Sequence, residues 1–370
     1  MVGLLVHEWI EKHGGSENVF QAMADTYPDA DIQCLWNDAP ERFADRHVRE
    51  SWLARTALRR NKAAALPFMP STWAQMDLGA YDSVLVSSHL FAHHIGGPLS
   101  APDLVKHVYV HTPARYIWTP ELDPRGNNVL TRLAARPLKA LDTRRASQGA
   151  IFAANSEYVR ERILNTWHQE AQVIYPPVDV ERLHSVEDWS QELGQNDQRT
   201  LSHLPQDFLL GASRFVPYKR LDLVIEAGEA SGLPVVLAGS GPQLSELTAA
   251  AAQATVPVHI VNRPSDSLLY ALYQRAIAFV FPAIEDFGIM PVEAMSLGTP
   301  VIVGVNGGAR ESVDILGGGV IVDAFSTATM RSAVDTAATF DMSGARKLAD
   351  ESFSSRSFQR RIVSWVSPKD

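Results

Sequence analysis

Two carboxylates set eight residues apart, Glu285 and Glu293, bracket the stretch Glu285-Asp-Phe-Gly-Ile-Met-Pro-Val-Glu293. The apolar run Ala278-Phe-Val-Phe281 before it reads as a buried strand. Pro291 suits a first helical position, where its missing N–H has no intrahelical partner. This places Glu285 in the loop at a strand's carboxyl end and Glu293 in the first turn of the next helix. Open α/β sheets bind ligands at that edge. A carboxylate accepts two hydrogen bonds from a vicinal diol. Backbone amides over Gly288, Ile289 and Met290 at a helix start meet hydroxyl or phosphate oxygens. The set suits a sugar nucleotide, with one carboxylate for the hexose and one for the ribose. The plainer alternative makes Glu293 a helix-dipole partner and Glu285 a solvated loop acid.

A basic pair falls on the same predicted edge. Ser213-Arg214-Phe-Val-Pro-Tyr-Lys219 follows the strand-like run Phe208–Ala212, with Arg214 in the loop and Lys219 opening a helix. An arginine fork and a lysine point charge suit a pyrophosphate. Gly239-Ser-Gly241 and Gly307-Gly308-Ala-Arg-Glu311 are tight turns after further strands, without the complete dinucleotide fingerprint. Asn262-Arg263 follows another, where a base edge could be read or Arg263 simply solvated. In the first half, Gly14-Gly15 permits close backbone approach to a phosphate or sugar. His111-Thr-Pro-Ala-Arg115-Tyr116 follows the run His107–Val110, which puts His111 at a strand's carboxyl end.

These residues need a scaffold of alternating strands and helices. In the first half, strands are predicted at Val2–Val6, Ile32–Trp36, Ser83–Ser87, His107–Val110, Ala150–Ala154 and Val173-Ile174. Helices are predicted from Glu17 to Thr26, from Leu130 to Arg145 and after a Ser156 cap. Tyr175-Pro-Pro-Val-Asp179 and the polar stretch from Glu187 to Gln206 break the pattern and mark a boundary near 176–180. The second half predicts strands at Phe208–Ala212, Pro234–Ala238, Val258–Val261, Ala278–Phe281, Pro300–Val303 and Gly319–Val322. Intervening helices are expected at Lys219–Glu229, Pro242–Gln253, Asp266–Arg275, Pro291–Leu297 and Gly308–Val313. The fold class is α/β, with helices covering both faces of parallel sheets. Domains are expected at 1–177 and 178–353, and a last helix within 354–370 is expected to cross back to the first.

Composition narrows the function classes. The chain has 370 residues, 46% hydrophobic and 20% charged, with a net charge of −9. That balance argues against a general nucleic-acid partner. One cysteine, Cys34, gives neither a disulfide framework nor a cysteine-based zinc site. The start lacks a basic leader, and no apolar run reaches the ~20 residues that span a bilayer, so a cytoplasmic location is expected. Asp29-Ala-Asp31 falls at the amino end of the sheet and is rejected as a metal site. Arg55, Arg59 and Lys62 share a face at helical spacing, which would suit peripheral contact with an anionic membrane or, more plainly, with solvent.

Together these motifs resemble the retaining family 4 glycosyltransferases of GT-B architecture, over nearly the whole chain. His111-Thr-Pro-Ala-Arg-Tyr-Ile-Trp118 and Val216-Pro-Tyr-Lys-Arg-Leu-Asp222 look most like the branch of mannosyltransferases that builds bacterial surface polysaccharides. The resemblance implies two facing Rossmann-like domains, the first for the acceptor and the second for the donor, GDP-mannose. It implies that Arg214 and Lys219 hold the donor diphosphate, Glu285 the hexose and Glu293 the ribose. Amides of Phe287, Gly288, Ile289 and Met290 would touch the sugar, with Glu311 at the sugar–phosphate edge and Arg263 near the base. Gly15 would abut the phosphate, and His111 would contact the sugar near the reacting carbon. Acceptor binding would fall to Arg115, Tyr116 and the loop Ser87–His94, including His89. The acceptor would be a glycan, glycolipid or natural product. No cofactor beyond the donor is implied, and a metal is not expected to be essential. The chain departs from the branch pattern in having His7-Glu8 rather than His-Asp, and Asn262 rather than Gly before Arg263.

Overall fold

A computed structural model of the chain describes residues 2–96, 103–119 and 129–367. It divides into two compact units, Met1–Pro177 with Ser355–Asp370, and Val178–Ser354.

The first unit is a seven-stranded parallel sheet. Its strands are β1 Leu4–His7, β2 Asp31–Cys34, β3 Val48–Glu50, β4 Ser83–Ser88, β5 Val105–Val110, β6 Ile151–Ala154 and β7 Ala171–Val173. Their order is β3-β2-β1-β4-β5-β6-β7. The central strands are buried on both faces, as near-continuous apolar runs require. One face packs Val6, Val86, Val108 and Phe152 with Trp36, Trp73 and Trp167. The other packs Leu5, Ile32, Leu85 and Tyr109 with Phe20 and Met23 of the helix Gly15–Thr26. The helix Ser355–Val366 joins that second face through Phe358, Ile362 and Trp365. Burying such a side chain contributes on the order of 1.5–3 kcal/mol. Ser156 caps the helix Glu157–Trp167, its hydroxyl accepting from Val159 N at 3.0 Å.

The second unit is a six-stranded parallel sheet. Its strands are β8 Leu209–Arg214, β9 Val235–Ser240, β10 Val258–Asn262, β11 Ala278–Phe281, β12 Val301–Gly304 and β13 Gly319–Val322, in the order β10-β9-β8-β11-β12-β13. Its core gathers Val235, Leu237, Val280 and Ile302 beneath Val224, Ala227 and Val334.

Four local expectations need correction. The polar stretch after the boundary contains the turn Trp189–Glu192 and the helix Gln195–Ser202. Trp189 anchors it, stacking edge-on against Tyr270 with ring centroids 4.9 Å apart. Lys219 closes the short turn Pro217–Lys219, and the following helix starts only at Asp222. Between them Arg220 is left-handed (φ 51°), which interrupts the helix. Pro291 is the third residue of the helix Ile289–Ser296, where the N–H is still without an intrahelical partner. Finally, Arg55, Arg59 and Lys62 lie on three separate short turns. Thr56 and Asn61 break the run because their side chains accept from Leu58 N and Ala64 N. Arg59 pairs with Asp38, and Lys62 pairs with Glu11.

Candidate functional site

In the second unit the chain leaves β8 for β9 and β10 on one side, then returns to place β11, β12 and β13 on the other. The crevice between the carboxyl ends of β8 and β11 is therefore a topological switch point, where such sheets bind ligands. Lys219 and Glu285 come from the two loops that flank it, and they form an ion pair. Their side chains are 11% and 19% exposed, so the pair is shielded but reachable. The Lys219 ammonium also lies 5.3 Å from the Tyr218 ring centroid and 5.7 Å from that of Phe281. Arg214 ends β8 in solvent and donates from Nη2 to the Tyr218 hydroxyl at 2.6 Å.

The loop carrying Glu285 is held by backbone. The Glu285 carbonyl accepts from Gly308 N at 2.8 Å. A Cβ on Gly308 would lie 2.2 Å from the Asp286 carbonyl oxygen, so only glycine allows this approach. Gly288 is left-handed (φ 92°) and precedes the helix Ile289–Ser296. Phe287 is buried and its ring meets Phe353 at 5.6 Å, which leaves only its backbone for a ligand. Ile289 and Met290 are half-buried at the helix start, where amides point out of the helix. Gly239 and Gly241 bring β9's turn against the backbone of Ser213 and Phe215, fixing the loop that carries Arg214. Arg263 is exposed in a left-handed conformation (φ 54°), and its N–H donates to Gly239 O at 2.9 Å. Glu311 stands in the first turn of the helix Ala309–Leu316, on the loop after β12.

Glu293 lies in the second turn of its helix, not the first. Burial, reinforced by Asp266 and Asp179, pushes its carboxyl up to about 7, with the Tyr273 hydroxyl opposing this. The shift has a stability consequence. The folded state binds this proton more tightly than the unfolded one, so stability falls as pH rises from about 4.5 to about 7. We expect Glu293→Gln to raise the melting temperature at pH 8, by on the order of 2 kcal/mol of stability, and to change it little at pH 4. Equal shifts at both pH values in a melting series would contradict this.

The first unit has its own switch point, between β1 and β4. His7 and Glu8 at the end of β1 are fully buried there. Glu8 Oε1 accepts from the N–H groups of His89, Leu90 and Ala92 at 3.1, 2.8 and 3.0 Å, and from Ser88 Oγ at 3.2 Å. It thereby shapes the loop after β4. His111 is buried at the end of β5, its Nε2 2.8 Å from Ser87 Oγ, which is 3.0 Å from His7 Nδ1. Burial, then the neighbouring His89 and His7, hold the His111 imidazole well below its ordinary pKa, hence neutral at pH 7. Gly15 opens the helix Gly15–Thr26. Arg115 and Tyr116 are half-buried on the turn Arg115–Trp118, and His89 is partly exposed with Nδ1 3.2 Å from Glu8 Oε2.

Part of the expected acceptor loop is not available to a ligand. His93 and His94 are buried, both within 3.0 Å of Asp142 Oδ1. Asp142 Oδ2 accepts from the indoles of Trp118 and Trp167, each at 2.7 Å. No sequence pattern joins these residues, and the network holds core elements together. At the amino end, Asp31 is occupied by Tyr81, Arg49 and His47. Among the described residues no helix is long and apolar enough to cross a membrane.

The second unit thus brings a basic pair and a carboxylate to the edge where such sheets bind ligands. The family profile "Glycosyl transferases group 1" matches residues 194–339. The chain is 32% identical over 199 residues to the D-rhamnosyltransferase WbpZ of Pseudomonas aeruginosa, covering 50% of this chain and 48% of that protein. It is 30% identical over 196 residues to the GDP-mannose-dependent alpha-(1-6)-phosphatidylinositol monomannoside mannosyltransferase of Mycobacterium tuberculosis, covering 48% and 50%. The matches thus span about half the length of these relatives. Among solved structures, HepE of Anabaena in complex with UDP superposes with a TM-score of 0.70 at 17% identity, covering 98% and 99% of the two chains. WaaG, a glycosyltransferase involved in lipopolysaccharide biosynthesis, gives 0.65 at 16%, covering 99% and 100%. The fold is accordingly of the GT-B class, with two Rossmann-like domains.

Proposed function

We propose that the chain is a retaining hexosyltransferase that moves mannose from GDP-mannose to a hydroxyl of a glycan, glycolipid or small-molecule acceptor. The observation that carries this reading is the Lys219–Glu285 pair at the β8/β11 switch point. An incoming diphosphate competes with Glu285 for the Lys219 ammonium, and Arg214 adds a second cation. Once released, the Glu285 carboxylate accepts from hexose hydroxyls. Donor binding therefore creates the sugar site. Charge that develops on the leaving diphosphate is met by the shielded Lys219 ammonium and by the more exposed Arg214. The neutral His111 would serve as a hydrogen-bonding contact for the sugar. Attack on the same face as departure would retain the anomeric configuration without a protein nucleophile. Glu311 and Arg263 would complete the donor site. Arg115, Tyr116 and His89 would meet the acceptor. The GDP-mannose dependence of the mycobacterial relative supports the donor assignment. The rhamnosyltransferase relative favours, as a second reading, a GDP-linked 6-deoxyhexose such as GDP-fucose.

The test is turnover of a donor panel without added acceptor, followed by nucleotide release. We expect GDP-mannose to be hydrolysed at least tenfold faster than UDP-glucose or ADP-glucose. Selective UDP-glucose turnover would keep transfer chemistry and overturn the donor. No turnover of any donor, with or without a glycan acceptor, would favour a non-catalytic sugar-nucleotide-binding partner.

A further inference from the structure

Three polar atoms of the first unit lie at the carboxyl edge of its sheet: His7 Nε2, Glu8 Oε2 and His89 Nδ1, the last two facing each other at 3.2 Å. Each is buried and lacks a hydrogen-bond partner. One possible ligand atom from each of His7, Glu8 and His89 lies within 4.8 Å of the others. His7 and Glu8 are completely buried, whereas the His89 side chain is 22% exposed and opens the cluster to solvent.

The surrounding hydrogen bonds fix what these atoms offer. His7 Nδ1 faces the Ser87 carbonyl oxygen at 3.3 Å as well as the Ser87 hydroxyl. In the tautomer that donates from Nδ1 to the Ser87 carbonyl, Nε2 presents a bare lone pair. Glu8 spends Oε1 on three backbone N–H groups and Ser88 Oγ, which aims Oε2 into the cluster. A buried acceptor without a donor costs about 1–3 kcal/mol. Here two acceptors point into one space, with an imidazole at its mouth. Phe20 stacks on His7 with centroids 4.8 Å apart, and Trp9 packs edge-on against His89, also at 4.8 Å. The rings are thereby held in place.

We propose that His7 Nε2, Glu8 Oε2 and His89 Nδ1 form a site for one divalent transition-metal ion of the Zn²⁺ type. Two imidazole nitrogens and one carboxylate oxygen are a borderline donor set that suits Zn²⁺ and not Mg²⁺ or Ca²⁺. Three protein ligands leave a fourth position open, here on the His89 side, for water or a ligand oxygen. The His7 Nδ1–H bond to Ser87 is the outer-sphere contact that orients a metal-bound imidazole. The His89 Nδ1–Glu8 Oε2 separation of 3.2 Å already approaches the spacing between ligands in a tetrahedral site. Rotation of the partly exposed His89 ring closes the rest. This site lies in the first unit and does not depend on the donor assignment.

The test uses the full chain stripped with a chelator and dialysed against Zn²⁺, or against Co²⁺ as a coloured probe. We expect one equivalent per chain, a visible ligand-field band with Co²⁺ that Zn²⁺ abolishes, and no competition from Mg²⁺. His89→Ala should weaken Zn²⁺ binding at least tenfold, while His203→Ala, at an exposed helix end, should leave it unchanged. If His89→Ala does not fold by circular dichroism, His89→Gln carries the same expectation. Less than half an equivalent in the wild-type chain would overturn the proposal. So would binding that the His89 variants leave intact, since the cluster would then be an ordinary hydrogen-bonded group.

Discussion

Replacing Glu285 with alanine should lower kcat by about 10²–10³-fold while leaving GDP affinity equal to or slightly above that of the wild type. In the free protein Glu285 pairs with Lys219, so a diphosphate must displace it. Removing the carboxylate removes that competition, and GDP, which has no hexose, loses no contact. The sugar nucleotide loses the acceptor that would orient its hexose, so the loss falls on the chemical step. Steady-state kinetics together with calorimetric titration of GDP separate the two quantities. Normal turnover would sink the assignment of Glu285 to the sugar. A large fall in GDP affinity with unchanged kcat would move Glu285 to the nucleotide.

The second large effect is expected for Lys219→Ala, with kcat/KM reduced by about 10²–10³-fold and GDP bound at least tenfold more weakly. Two causes combine. The diphosphate loses its most shielded cation, which is only 11% exposed in the side chain. Glu285 is also left as an uncompensated carboxylate beside it, and a charge stripped of its partner is costly. The double variant Lys219→Ala/Glu285→Ala should therefore bind GDP better than Lys219→Ala alone. Strictly additive losses in that cycle would mean the two side chains do not act on one ligand.

Strands were the most legible part of the fold because buried parallel strands are short apolar runs. Ala278–Phe281 and Gly319–Val322 have the bounds expected from their residues. The edge strand Val48–Glu50 was missed, since two of its three residues are exposed and charged. The helix Gln195–Ser202 was missed because it buries no residue and shows no apolar stripe. Arg55, Arg59 and Lys62 have helical spacing, yet the capping side chains of Thr56 and Asn61 won locally. Periodicity cannot register that competition.

At the candidate site, Lys219 and Glu285 were each legible from their positions after strands. Their contact, across 66 residues, followed only once the strand order made β8 and β11 neighbours. The upward shift of Glu293 comes first from burial and then from Asp266 and Asp179 in distant segments, neither of which its local sequence registers. His7-Glu8 stood out only as a departure from a pattern, although Glu8 organises the whole loop after β4. Asp142 was silent, because its partners His93, His94, Trp118 and Trp167 converge from separate elements.

The most direct measurement is the melting temperature of the wild-type chain and Lys219→Ala with GDP, UDP and ADP, each in the presence of chelator. A ligand that binds only the folded state raises the melting temperature with its affinity. The β8/β11 crevice as a GDP-sugar site predicts a shift with GDP well above those with UDP and ADP, lost in Lys219→Ala. No shift with any nucleotide, or a GDP shift that Lys219→Ala leaves intact, would contradict it.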